Sequence, residues 1–367
     1  MRIKTTYLLL TLAFMCCKNP ESKQLDVFQS NNEVFKYSGR TITKEHSVGL
    51  ISSASSVEFN VTGDSLTINI QSEYKPRNYF VLTINDEYQK RYTISGDTIN
   101  SIKIALPKTE TQNKVGIFKA TEAASGMVLF HGLEAEAISK VENNTAFTIE
   151  FIGDSITCGA LMDPTDVPCD AKGEYIDQHN AYLAYGPIVA RTLNADYILS
   201  SVSGMGIYRN WNDEHKDEPI MPEVYENLFL NTNDDVLYDF KVKPKLVSIC
   251  LGTNDMSEGD GIKDRLPFNS ETYVARYIEL VGKVYKHYPN TQVVLLNSPM
   301  IQGDKNNVLI DCLTQVKTYF EKDSNRTIPI FQFNDVYAHG CSYHPSIADN
   351  KVMAEKLIPF FEKILAN

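Results

Sequence analysis

The sequence has no run of twenty apolar residues, no CxxC pair, no basic stretch and no low-complexity tract, and its 367 residues include a single tryptophan. Each absence excludes something. Spanning a bilayer with a helix takes about 20 consecutive apolar residues, so none is expected to cross. Seven cysteines without metal-site spacing exclude zinc ribbons and fingers. With 35 Lys+Arg against 46 Asp+Glu, a formal net charge of −11 and no basic cluster, the chain is no phosphate-backbone binder, and nucleic acid is not an expected partner. A chain that is 43% hydrophobic and 22% charged is neither disordered nor fibrous. At about 150 residues per domain, its length suggests two domains, or three if some are small.

Arg2 and Lys4 precede an apolar stretch over 7–15, which has the length of a secretory signal and not of a span. Cys16 and Cys17 end it, and the polar residues 18–24 follow. This pattern resembles the processing site of bacterial lipoproteins, with Cys16 or Cys17 as the lipid acceptor; simple cleavage and secretion is the alternative. Both place the protein outside the cytoplasm, in the periplasm or at the cell surface, touching the membrane only through a lipid anchor. Residues 1–17 are read as the processing region and 18–33 as a polar linker. Among the cysteines that remain, Cys158 and Cys169 share one loop and are a candidate bridge, with separate buried thiols as the alternative.

From about 35 to 138 the apolar residues alternate: Val57, Phe59 and Val61, then Leu66, Ile68 and Ile70, then Phe80, Leu82 and Ile84. Period two marks strands with one buried face. Thr62-Gly63-Asp64, Asn85-Asp86 and Ser95-Gly96-Asp97 supply turn chemistry between them. An all-β sandwich of jelly-roll type is expected over 34–140. From Phe147 the period changes. Strands are expected over 148–152, 197–202, 245–251 and 292–297, and a helix over 180–193. Val274, Tyr277, Ile278, Val281, Val284 and Tyr285 fall on one helical face, as do Ala354, Leu357, Ile358, Phe361, Ile364 and Leu365 in a final helix that Ser346 and Asp349 can cap. An α/β three-layer domain over 145–367, its parallel sheet flanked by helices, binds ligands beyond the carboxyl ends of its strands. The connecting stretch 139–144 is too short for independent tumbling, so the sandwich is expected to pack on the second domain and shape one wall of its cleft.

The residues just after each strand are therefore the ones to search. The first strand exits into Gly153-Asp154-Ser155-Ile156-Thr157-Cys158-Gly159, which is not the Gly-x-Ser-x-Gly elbow because Thr157 holds the last glycine position. The second exits into Ser203-Gly204-Met205-Gly206, where glycine lets a backbone N–H face a ligand. The third exits into Gly252-Thr253-Asn254-Asp255, and Gly340-Cys341-Ser342-Tyr343-His344-Pro345 places an imidazole before the last helix. One mechanism uses all four: a serine needs a base, and the oxyanion it creates needs preorganised donors. Ser155 is the candidate nucleophile and His344 the base, with the N–H groups of Ser155 and Gly204 and the Asn254 amide as the oxyanion hole. Asp154 and Asp255 are expected to support the loops by accepting local N–H bonds. The other histidines, at 46, 131, 179, 215, 287 and 339, form no metal-binding pattern, and no metal or other cofactor is expected.

Gly-Asp-Ser, a central Gly, Gly-Thr-Asn-Asp and a C-terminal His-Pro are, in this order, the blocks of the SGNH (GDSL-type) hydrolases, which the chain resembles. The N-terminal jelly roll, the stretches 151–159 and 180–185, Arg209-Asn210 and Met221-Pro222-Glu223-Val224-Tyr225 make it most similar to carbohydrate esterase family 2, over roughly 35 to 365. The resemblance implies metal-independent serine catalysis that removes acetyl groups from plant-type polysaccharides such as xylan and glucomannan, or their oligosaccharides. One position departs. Many SGNH hydrolases carry an Asp three residues before the histidine, where this chain has Cys341; similar members often carry it two residues before, where this chain has Ser342. Replacing that Asp by Asn in a triad traps the wrong tautomer and costs about 10⁴ in turnover. A backbone carbonyl accepting from Nδ1–H would keep the right tautomer, so a Ser-His dyad of modest turnover is expected.

Trp211, Tyr208 and Tyr343 are candidates for stacking on sugar rings, with packing as the equal alternative. Arg209 bonds a substrate hydroxyl or braces a loop, the second being favoured. Two other functions stay open: an esterase or lipase acting on other acyl esters through an elongated apolar channel, and a non-catalytic glycan-binding surface lipoprotein. A monomer is expected.

Overall fold

The structure, a computed structural model, describes residues 25–108, 112–324 and 326–366. The expected export and lipidation signal with Cys16 and Cys17 lies outside the described residues. The N-terminal strands are β1 (Asp26–Gln29), β2 (Lys36–Ser38), β3 (Thr41–Thr43), β4 (Val48–Leu50), β5 (Ser56–Thr62), β6 (Ser65–Ser72), β7 (Arg77–Ile84), β8 (Glu87–Ser95), β9 (Asn100–Ala105), β10 (Asn113–Lys119), β11 (Val128–Ala135) and β12 (Ala137–Ser139). They form two antiparallel sheets, β3-β4-β11-β6-β9 with β1 beside β11, and β12-β5-β10-β7-β8 with β2 beside β5. Alternation is the cause. Leu66, Ile68 and Ile70 of β6 and Val57, Phe59 and Val61 of β5 turn inward and are fully buried, while the residues between them face outward.

The sandwich begins earlier than expected, because β1 lies inside the stretch read as polar linker. Asp26 to Gln29 pair in register with Ala135 to Gly132, and Phe28 packs against the sandwich core. Four residues are too few to display period two, which hid this strand in the sequence.

Among the described residues the second domain has five parallel strands: β13 (Thr148–Gly153), β14 (Asp196–Ser201), β15 (Leu246–Cys250), β16 (Gln292–Leu296) and β17 (Ile330–Phe331), in the order β14-β13-β15-β16-β17. All five residues of β15 are buried, as a parallel strand requires when helices cover both faces. After α1 (Ser155–Cys158), helix α2 (Tyr185–Thr192) packs one face. It follows a 3-10 turn, Ala181–Leu183, so the helix expected over 180–193 is shorter at its start. Pro187, which lacks an N–H, sits in the first turn of α2, where that group would have no partner within the helix. The further α-helices among the described residues are α3 (Met221–Val224), α4 (Ser270–His287), α5 (Gly303–Ser324) and α6 (Ile347–Leu365). Phe151, Leu199, Leu357 and Phe361 fill the α2/α6 side, and Val247, Tyr277, Val281 and Leu313 the α4/α5 side.

The sandwich is welded to this domain. Arg40 is fully buried between them, bonding Ser200 Oγ and the carbonyls of Tyr225 and Asn227, with its guanidinium 4.2 Å from the Tyr238 ring centre. A buried guanidinium is tolerated only when its donors are satisfied, so this contact fixes one orientation. Among the described residues no helix is long and apolar enough to cross a membrane.

Candidate active site

Strand β13 delivers the first functional group. A Cβ on Gly153 would stand 2.0 Å from Thr157 Oγ1, so only glycine allows the chain to turn sharply into α1. Asp154 caps this turn by accepting from the Ile156 N–H at 3.0 Å, and Gly159 ends it in the left-handed region at φ 68°. Ser155 is thereby presented at the sheet edge, 7% exposed.

Helix α6 delivers the second. Ser346 and Asp349 cap it reciprocally, and the chain ahead of that cap carries His344. His344 Nε2 stands 3.0 Å from Ser155 Oγ, and Nδ1 stands 3.1 Å from the Ser342 carbonyl. With Nδ1–H donating to that carbonyl, the Nε2 lone pair faces the serine. No carboxylate accepts from this ring among the described residues. Ser342 and Tyr343 reach this geometry with φ 49° and 62°, in the left-handed region that costs a non-glycine residue about 1–2 kcal/mol. Burial lowers the pKa of His344 below its ordinary 6.5, favouring the neutral base.

Of the oxyanion-hole candidates, Ser155 and Asn254 line one cleft, while Gly204 lies behind Trp211 in the turn after β14. Gly204 follows β14 with φ 76°, and a Cβ there would meet only Trp211 Cβ at 4.0 Å, so glycine is needed for its conformation and not for space. Among the described residues no protein acceptor takes the N–H of Ser155 or of Gly204. Asn254 is different. Its Nδ2 donates to the Met205 carbonyl at 3.0 Å and to Asp154 Oδ2 at 3.2 Å, so both amide hydrogens are engaged at rest. For Asn254 to donate to an oxyanion, the longer contact, to Asp154, has to open. Burial pushes the Asp154 carboxyl up to about 7, and a protonated carboxyl holds that contact less strongly.

The loop-support residues are bonded in their loops. Asp255, buried and pushed up to about 6 by that burial, accepts from the N–H groups of Ile207, Tyr208 and Arg209. Arg209 is buried, bonding the carbonyls of Asp255 and Leu266 and the Glu214 carboxylate, and so braces the loop and does not reach a ligand. Tyr208 is also withdrawn, its ring against Phe268 and Tyr273 and its hydroxyl accepting from the Asn269 N–H. Tyr343 is 80% exposed and lies outside the pocket lining. Of the aromatic candidates only Trp211 lines the cleft, and its backbone N–H donates to the Gly204 carbonyl at 2.8 Å.

A cleft of about 360 Å³ opens over Ser155 and His344, lined also by Asn254, Met256, Glu258 and Lys305. No lining residue comes from the sandwich, which corrects the expectation that it forms a wall. The sandwich acts from behind, through a residue that no local signal in the sequence revealed. Glu122, buried, accepts from the Ser203 N–H at 2.6 Å and from Cys158 Sγ at 3.5 Å, touching both the oxyanion turn and α1. His179 Nε2 lies 3.5 Å from it, in ion-pair range though not aligned for a hydrogen bond. Burial alone would raise the Glu122 pKa, but His179 and the Ser203 N–H outweigh it and hold the group ionised.

The expected Cys158–Cys169 bridge is not formed. Cys169 pairs with Cys341, across 172 residues, and Cys158 is a buried free thiol. Cys158 points inward from α1 toward Ser201 and Glu122, away from the exposed loop that holds Cys169.

Residues 37–143 match the carbohydrate esterase 2 N-terminal family model, and 151–344 match the GDSL-like lipase/acylhydrolase family model. An acetylxylan esterase / glucomannan deacetylase of Cellvibrio japonicus is 26% identical over 307 residues, 82% of this chain and 81% of that protein. The cellulase/esterase CelE of Acetivibrio thermocellus is 27% identical over 83% of this chain and 36% of its own length. Among solved structures, a family two carbohydrate esterase from Clostridium thermocellum in complex with cellohexaose superposes with a TM-score of 0.79 at 25% identity, covering 90% of this chain and 99% of that one. A family two carbohydrate esterase from Cellvibrio japonicus has the same fold, with a TM-score of 0.81 at 22% identity, covering 93% and 98%.

Proposed function

The chain belongs to the GDSL-like lipase/acylhydrolase family and carries a carbohydrate esterase 2 N-terminal domain ahead of it, and on that premise we propose that it removes O-acetyl groups from plant-type polysaccharides. The substrates are acetylated xylan, acetylated glucomannan or their oligosaccharides, as the names of its relatives suggest. The observation that carries the reading is the 3.0 Å contact between Ser155 Oγ and a His344 ring whose other nitrogen faces a carbonyl.

Ser155 Oγ attacks the acetyl carbonyl while His344 Nε2 takes its proton. The oxygen that becomes negative is received by the Ser155 and Gly204 N–H groups and by the Asn254 amide once its bond to Asp154 opens. As the tetrahedral intermediate collapses, His344 returns the proton to the departing sugar oxygen, leaving Ser155 acetylated. Water, deprotonated by His344, then releases acetate and regenerates the serine. The Ser342 carbonyl secures the tautomer but brings no full charge to the imidazolium, which supports a modest turnover. Thr253, Ser257, Glu258, Gln302 and Lys305 offer the cleft polar groups able to bond sugar hydroxyls, beside the apolar Trp211, Met256, Met300 and Ile301. The N-terminal residue pattern supports export with attachment through Cys16 or Cys17, and the Cys169–Cys341 disulfide supports an oxidising compartment.

Acetate release from acetylated xylan and acetylated glucomannan by the wild type and by Ser155→Ala tests the proposal. Release that falls by a factor on the order of 10⁵–10⁶ in a folded variant is expected. A wild type that binds both polymers and releases nothing would make this a binding protein.

A further inference from the structure

The two residues ahead of His344 have little of their own to hold them. Ser342 and Tyr343 are exposed, so no packing covers them, and both occupy the left-handed region without being glycine. The flanks of the turn are bonded, His339 N–H to the Asp349 carboxylate and Asn350 Nδ2 to the Pro345 and Ser346 carbonyls, and within it Cys341 N–H reaches the Leu161 carbonyl at 2.8 Å, Gly340 N–H the His344 carbonyl at 2.7 Å and His344 N–H the Cys341 carbonyl at 3.0 Å; among the described residues no backbone bond holds Ser342 or Tyr343 themselves. Yet the direction of the Ser342 carbonyl is what orients the imidazole, and relaxing Ser342 to an ordinary conformation would swing that carbonyl away from Nδ1.

Cys341 is the buried residue of this turn, and it is tied covalently to Cys169. The loop holding Cys169 is itself fastened: Arg91 of the sandwich reaches Asp166 at 3.2 Å, and Gln178 donates to the carbonyls of Val167 and Pro168. A mechanical line therefore runs from the sandwich through the 163–170 loop to the residue three positions before the histidine.

Resting on the esterase reading, we propose that the Cys169–Cys341 disulfide is a positioning element of the active site. It holds the left-handed pair Ser342 and Tyr343 so that His344 stays aimed at Ser155, doing mechanically what a hydrogen-bonded carboxylate does in a triad. It also makes turnover sensitive to reduction, because Cys169 is exposed. A dithiol reductant gives up two electrons: the sulfur–sulfur bond breaks, two thiols form, and the reductant closes to its own disulfide.

The test treats the folded protein with dithiothreitol under native conditions, follows thiol release with a chromogenic disulfide, and measures 4-nitrophenyl acetate turnover. Two new thiols per chain, a kcat lowered about tenfold or more, a KM within about twofold and recovery on reoxidation are expected. Cys169→Ala should have the reduced kcat and ignore the reductant. Adding Ser342→Gly to it should regain several-fold, because glycine adopts the left-handed conformation freely. Full reduction that leaves kcat within about twofold overturns the proposal. So does a loss of kcat that merely follows loss of the near-ultraviolet circular dichroism signal, since the disulfide would then serve stability alone. If the oxidised protein hydrolyses no ester, the proposed function has failed; the disulfide is then judged on the rate at which a fluorophosphonate labels Ser155, which needs only the serine and histidine.

Discussion

Replacing Gly204 by alanine sets conformational strain against transition-state binding, and the two magnitudes can be compared. The added methyl has room, its nearest neighbour being Trp211 Cβ at 4.0 Å, so no steric term enters. What it meets is φ 76°, which costs an alanine about 1–2 kcal/mol. Relaxing the turn would turn the Gly204 N–H away, and an oxyanion donor contributes about 2.7–4 kcal/mol to the transition state. The second quantity is larger, so the transition state draws the turn back and the rate loss is capped by the strain itself. Gly204→Ala should therefore lower kcat on 4-nitrophenyl acetate by about 5–30-fold if the turn relaxes. If the 2.8 Å bond from Trp211 N–H to the residue-204 carbonyl pins the turn, the same 1–2 kcal/mol or so appears as lost stability, about 2–4 °C in Tm. Either way the two losses should sum to about 1–2 kcal/mol. Asn254→Ala, which removes its donor outright, should cost about 10²–10³ in kcat. A Gly204→Ala protein with unchanged Tm and unchanged kcat would refute the reasoning, as would one that keeps its Tm and loses far more than 30-fold.

Three further outcomes are expected. His344 acts as a neutral base and burial lowers its pKa, so activity is lost only as pH falls through a value below 6.5; an acidic limb of kcat/KM centred above 6.5 contradicts the assignment. Glu122→Gln keeps the shape but removes an anion that raises the His344 pKa and weakens the bond from the Ser203 N–H, so kcat should fall about tenfold and the acidic limb should move to lower pH; unchanged kcat and limb would confine Glu122 to packing. Trp211→Ala should raise KM for acetylated polysaccharide several-fold while leaving 4-nitrophenyl acetate turnover nearly intact, and equal effects on both substrates would remove it from glycan binding.

Local chemistry made much of this protein readable. Period two in Val57, Phe59 and Val61 and in Leu66, Ile68 and Ile70 survives as the inner faces of two sheets, because a strand's pleat is set by its own residues. The blocks around Ser155, Gly204, Asn254 and His344 could be ordered from sequence because each lies where a parallel strand ends or a helix starts, and the sheet brings such ends to one edge. In helix α5, Leu309, Cys312, Leu313 and Val316 carry the i, i+3, i+4, i+7 signal of a buried helical face.

Contacts between segments far apart in the chain were decided only by tertiary structure, because no residue carries a mark of its distant partner. The loop shared by Cys158 and Cys169 suggested a bridge, yet α1 turns Cys158 into the core and leaves Cys169 free to reach Cys341. Glu122 reads as one acidic residue of a β domain until that domain docks and sets it against Ser203. Tyr208 and Arg209 sit beside the oxyanion turn in sequence, but the loop winds around Asp255 and turns both inward, leaving Trp211 at the cleft. The amino-acid order thus determined which groups stand at the sheet edge, and the packing of the domains decided what aims them.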